Sequence, residues 1–351
     1  MKSHLFFATL FCLCGLVDSA IAVDPNSAGQ WERSNAMAAV RSVNVDRAVY
    51  EIGNSASLAD GEATLARLRD IETRSDWPLP AREAALYEFT RSLAELPRAA
   101  VAAEVMQHLK NYQAQTLVPQ EEHQNSLVPL FNIRGAAAGV ENGWQRTEFG
   151  VEAFEILGKE PSALVSAYIK SSNHNQRAAY LDTLRQAGLD DVQTVQNAAL
   201  DQLAQAPVLT PVVGLTAAIT MDRFAIQQLL TSGSGAGLSP ALNQLDKRLH
   251  TSDTAELLTY AILEAPADNA SLAIAAWWPR LRHEAAIRDL LLDRLADPAL
   301  GAAAALALAQ SPDIQTIKLL QDAAAGHSLA ARRAQMALDI NRERLLGEVQ
   351  P

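Results

Sequence analysis

The sequence predicts an all-α protein whose helices pair in antiparallel hairpins and stack as an α-solenoid. Three observations carry this expectation. Of 351 residues, 64 are Ala and 48 are Leu, which lead the intrinsic helix scale, while aromatics make up only 5%. Cap and break residues recur between apolar segments of helical period. Small residues return near the C-terminus at the length of one short hairpin. This composition argues against a β-sandwich, a β-barrel or a Rossmann-type chain, and the length suits one long or two ordinary domains.

The first 22 residues read as a secretory signal peptide. Lys2 opens it, residues 5–17 form an apolar core, and Ala20-Ile21-Ala22 gives a small-x-small cleavage site, with Pro25 just beyond. The apolar run is well short of the ~20 residues that span a bilayer. A lipoprotein would need a small residue before its cysteine, and Cys12 and Cys14 follow Phe11 and Leu13. Cleavage is therefore expected after Ala22, with a periplasmic destination. Both cysteines leave with the signal, so the mature chain lacks thiol chemistry and disulfides and must be held by packing alone. Net charge is −11, unchanged by the loss of Lys2 and Asp18. An acidic chain repels phosphate backbones and anionic lipid, which speaks against nucleic-acid and membrane partners. No later run reaches spanning length.

Residues 23–57 are polar and weakly periodic. They are expected to form a loosely held leader with one short helix near 31–45. Helical signals dominate from 58 to 345, with a short tail at 346–351. Leu65, Leu68 and Ile71 make one apolar stripe and Leu86, Phe89 and Leu93 another, separated by Pro78, Pro80 and Pro97. Asp190-x-x-Gln193 and Asp253-x-x-Glu256 read as capping boxes, and Asp297-Pro298 and Ser311-Pro312 as cap-proline starts. Gly188 and Gly326 stand where left-handed C-caps are wanted. The small, polar run at 231–240 is either a loop tip between two helices or a hinge between two halves of the array.

Aligning residues 266–277, 297–308 and 327–338 brings Ala273, Ala304 and Ala334 together. Ala276, Ala307 and Ala337 also coincide, as do Trp277, Leu308 and Leu338, at offsets of 31 and 30 residues. Residues 284–295 and 313–325 would supply the second helices. Residues 266–340 thus resemble HEAT-type repeats, with an Asp-Pro start and an Ala-rich first helix, and residues 81–96 and 177–188 echo them. The resemblance implies a right-handed superhelical stack used as an interaction surface, without an enzymatic activity.

The search for chemistry yields no complete catalytic motif. Gly233, Gly235 and Gly237 lack the preceding strand and third glycine of a dinucleotide loop. His283-Glu284 begins like a zincin helix, but Ile287 stands where the second histidine is needed. Trp277, Trp278, Arg280, Arg282, His283 and Arg288 form a basic-aromatic cluster that could hold a partner's acidic segment. The alternative buries Trp277 and pairs the arginines with Glu284 and Asp289. Arg134, Glu141 and Trp144, in the least repeat-like stretch (126–146), could line a groove or adjust packing. Glu121, Glu122 and His123, with His108, are weak metal ligands, and no cofactor or metal is expected. Asn173-His174-Asn175 reads as a cap or bridge. Glu152/Glu155 and Asp190/Asp191 are acidic pairs, of which Glu152 and Glu155 suit a solvated face. The expected function is a periplasmic scaffold or adaptor that binds another envelope protein or peptide. The alternative is a peptidoglycan-related hydrolase or an accessory factor of one.

Overall fold

The computed structural model describes residues 29–53, 58–121 and 126–347. The signal peptide, both cysteines, Glu122, His123 and residues 348–351 lie outside them. Eighteen α-helices and three very short strands make the chain all-α among the described residues. None of these helices is long and apolar enough to cross a membrane. The chain divides into two compact units, residues 1–144 and 145–351, where the sequence suggests one continuous array from residue 58.

The first unit begins with β1 (Gly29–Gln30), α1 (Arg33–Arg41) and α2 (Val45–Gly53). Over the described residues 29–53, two helices stand where the sequence suggests a loosely held leader with one short helix. Val45, Ala48, Val49 and Ile52 fall at i, i+3, i+4 and i+7, one helical face. Ala48 and Ile52 are buried by it, beside Leu68, Leu86 and Phe89. Helices α3 (Gly61–Thr73), α4 (Leu79–Ser92) and α5 (Ala103–Asn111) add to the core, which Ile133, Ala137, Val140 and Trp144 complete. Strand β2 (Thr116–Pro119) pairs in parallel with β1 and antiparallel with β3 (Leu127–Pro129). The long helix α6 (Ile133–Lys159) carries the boundary between the units.

The second unit contains α7 (Ala163–Lys170), α8 (His174–Gln186), α9 (Leu189–Leu200), α10 (Thr210–Thr220), α11 (Arg223–Ser232) and α12 (Leu238–Asp246). It continues with α13 (Thr251–Glu264), α14 (Ala267–Leu281), α15 (Ala285–Arg294), α16 (Gly301–Ala309), α17 (Ile314–Ala324) and α18 (Leu329–Gly347). Helices α8, α10, α12, α14, α16 and α18 pack in one succession, and α7, α9, α11, α13 and α15 in another. This order is compatible with a helical repeat protein. The three aligned segments lie on α14, α16 and α18, consecutive members of the first row, and Ala273, Ala304 and Ala334 are all fully buried. One apolar cluster runs from Ala153 to Ala337. The 231–240 run is a short link between α11 and α12, both of which extend into it, and so a loop within one unit.

The caps differ in detail from the sequence reading. Asp60, Asn173, Asp222 and Asp313 accept first-turn amides. Asp190 and Asp253 instead lie inside the first turns of α9 and α13, where a carboxylate favours the helix dipole without capping. Pro298 and Pro312 precede their helices by more than one residue, although Asp297 accepts the amides of Ala299 and Leu300. Those amides hold the Asp297 carboxyl below the usual range. Left-handed backbone occurs at Met221, which ends α10, and at Gly235, not at Gly188 or Gly326.

A recurring polar device joins these helices. Later side chains donate to earlier main-chain carbonyls, most of them at helix ends or in the links that follow, where intrahelical donors run out. Arg248 donates to the Ala218 carbonyl (2.7 Å) and Trp277 Nε1 to Leu242 (3.1 Å). Asn269 donates to Leu230 and Gly233, and Asn341 to Ala309 and Ser311. Arg280 serves Asp246 and Leu249, and Arg333 serves Leu295, Asp297 and Pro298. Each donor follows its acceptor by 30 to 39 residues.

Candidate functional site

The basic-aromatic cluster does not assemble as a surface. Trp277 and Trp278 are in the core, with their indole N–H groups bonded to the Leu242 and Ala307 carbonyls. Arg280 is turned inward to its two carbonyls, Thr254 Oγ1 (3.0 Å) and the Asp246 carboxylate. Arg288 is buried beside Asp289 (3.1 Å) and Asp313 (3.8 Å). Only Arg282 and His283 are exposed. Residues 277–281 end α14 and Arg288 lies on α15, so side chains adjacent in sequence are turned to different neighbours. Arg134 is exposed, whereas Trp144 is buried and donates to the Leu96 carbonyl (2.8 Å). These two residues form no common groove wall.

The remaining candidates are engaged in ordinary contacts. His108 meets Glu72 at 2.6 Å, and Glu121 lies 3.8 Å from Arg33. Glu155 faces solvent near Lys159. Glu152 accepts from Tyr180 Oη (3.1 Å) and Gln176 (3.3 Å). Burial, then the Glu152 charge, pushes the Tyr180 phenol up to about 12. A raised phenol favours the protonated form in the fold. Its contribution is complete below the free-tyrosine range near pH 10 and is lost as pH rises towards about 12. Urea midpoints taken below pH 10 and near pH 12 should therefore fall further in the native chain than in Tyr180→Phe. Parallel losses in both proteins would rule out this contribution.

One buried carboxylate escaped sequence reasoning. Glu83 lies on the apolar face of α4 with Leu79, Leu86 and Thr90, which was the available signal. It accepts the amides of Gln115 (2.6 Å) and Thr116 (3.0 Å) and the Tyr112 hydroxyl (3.3 Å), fastening the start of β2 to α4. Burial and this carboxylate raise the Tyr112 phenol above its ordinary value.

The concave feature that stands out is a trench of about 650 Å³ in the second unit. One wall is α8, which contributes residues from His174 to Arg185 along nearly its whole length. The other is the start of α12 and its preceding turn, with Ser234, Pro240, Ala241 and Gln244. Pro211 and Leu215 of α10 form the floor. Gly214 sets its depth. A Cβ there would fall inside contact distance of the Ala241 Cβ, so glycine is what lets α10 approach α12 so closely. Gly237 likewise leaves room for the Pro211 ring.

The lining carries His174, Arg177 and Arg185 but, among the described residues, no carboxylate. Arg177 is held over the Tyr168 ring (5.5 Å) and donates from Nε to the Tyr168 carbonyl (3.3 Å). Its remaining nitrogens have no carboxylate partner among the described residues. Arg185 pairs with Asp182, but Asp182 is also bonded to Arg146, so the two guanidiniums exceed the one carboxylate. An apolar floor with a cationic wall suits a ligand that is apolar along its length and negative at fixed points. No family model, curated protein or solved structure matches this chain.

Proposed function

We propose that this chain is an exported periplasmic scaffold or adaptor that holds another envelope protein in the trench over α10 and performs no catalysis itself. We further read residues 145–347 as a right-handed α-solenoid of HEAT-like hairpins. Three features support that reading: the two packing successions, the 30–31-residue spacing of buried alanines, and the carbonyl-seeking side chains one hairpin apart. The signal-peptide pattern of residues 1–22 supports export. The observation that carries the binding function is the trench itself. It is an open, largely apolar channel with an excess of cations, on a chain whose net charge is −11. Charge of one sign gathered in one cleft of an oppositely charged protein steers and selects partners.

The test is site-specific photocrosslinking in cells, with the reactive group at Ala178 in the trench and, as a control, at exposed Gln193 on α9. One or two envelope proteins should be captured in stoichiometric amount from Ala178 and not from Gln193, by a chain whose N-terminal sequence begins at Val23. Equal capture from both positions, or none from Ala178, would overturn the binding site. A chain that retains its first 22 residues would overturn the export.

A further inference from the structure

We propose that the trench takes an extended, apolar peptide segment of the partner protein that carries two acidic side chains four residues apart. This rests on the scaffold reading above and gives its ligand a chemistry. The trench favours an extended chain. Residues 174–185 of α8 cover about 16 Å at 1.5 Å per residue. A trench that long and open along one side takes about five residues of extended chain, whose alternate side chains point together at the apolar floor.

The charges decide the register. Arg177 and Arg185 lie eight residues apart on α8, hence about 12 Å along its axis. An extended chain advances ~3.3 Å per residue, so two carboxylates four positions apart span ~13 Å and meet both guanidiniums. His174, one turn before Arg177, adds a ring nitrogen for hydrogen bonding at the same end. Between those points Leu181 and Leu215 offer apolar contact, and the peptide there should be aliphatic or proline. Arg177 is the better prepared of the two cations. Its stem is fixed against Tyr168, and its two terminal nitrogens are left to make charge-assisted bonds. Polyphosphate chains fit poorly, because the charges are only two and the floor is apolar.

The experiment pans a displayed library of random dodecapeptides against the full mature chain. An enriched peptide is then measured by fluorescence anisotropy. Enriched sequences should share two acidic residues four apart around aliphatic or proline positions. Replacing both acids by glutamine in the peptide should weaken binding at least tenfold, as should Arg177→Gln in the protein. Raised salt should weaken the acidic peptide and leave the glutamine peptide unchanged. The peptide-side substitution keeps the test valid if Arg177→Gln destabilises the fold. Enrichment without acids, equal affinity for the two peptides, or no enrichment overturns the proposal. If the Ala178 crosslink still captures its envelope protein in an Arg177→Gln, Arg185→Gln chain, the scaffold stands and only the acidic-segment claim falls.

Discussion

Trp277→Ala is expected to destabilise the second unit by about 3–5 kcal/mol, the range for removing a buried large aromatic. Trp277 has no measurable exposure, and its ring fills the row between α12 and α14. Truncation opens a cavity that the flanking Ala273 and Ile274 are too short to close. It also strips the Leu242 carbonyl of its indole donor. Trp277→Phe separates the two effects, because most of the ring volume stays while the donor goes. Its expected loss is about 0.5–1.5 kcal/mol for the missing hydrogen bond, because Leu242 lies within α12 and keeps its helical amide donor. Urea unfolding followed by circular dichroism at the helix band measures both without relying on tryptophan emission. A loss below about 1 kcal/mol for the alanine variant would show that the site collapses around the gap.

The second large effect is expected at Gly214. Glycine is a poor helix residue, so intrinsic propensity alone would reward replacing it by up to ~1 kcal/mol. Packing opposes this, because any Cβ there strikes Ala241. Overpacking in a tight core costs typically 1–3 kcal/mol. Gly214→Val, which adds bulk directly at the contact, is expected to lose about 2–3 kcal/mol. Ala241→Gly should relieve it, and a double-mutant cycle should return a coupling of at least ~1 kcal/mol. Additive behaviour would mean that α10 and α12 move apart at little cost. The same pair sets the distance between floor and wall of the trench, so Gly214→Val should also lower the Ala178 crosslinking yield.

Much of the helical pattern was legible because it is local. The stripe of Leu65, Leu68 and Ile71 and the prolines between segments each work within a few residues. The intervening helices read at 284–295 and 313–325 match α15 and α17 to within a residue at either end. What escaped needed information from elsewhere in the chain. The strands are two to four residues long, too short to carry a period, and β1 exists only through a partner some ninety positions away, as Gly29 pairs with Thr116. Asp190 and Asp253 satisfy a capping-box spacing, but an acid in the first turn produces the same letters. The Trp277–Arg288 cluster was compact in sequence and dispersed in space, because Arg280 and Arg288 are drawn to carbonyls and carboxylates of other helices. The trench shows the reverse. Its cations sit on α8, its floor on α10 and its far wall on α12, so no window of the sequence displays it.

The side chains that reach back along the row address main-chain carbonyls and, with few exceptions, nothing else. A carbonyl is present whatever residue bears it. The accepting helix can therefore exchange every side chain in its last turn and keep the bond, while the donor alone is constrained. Substitution can thus rework the surface of one helix without releasing the neighbour that is fastened to it.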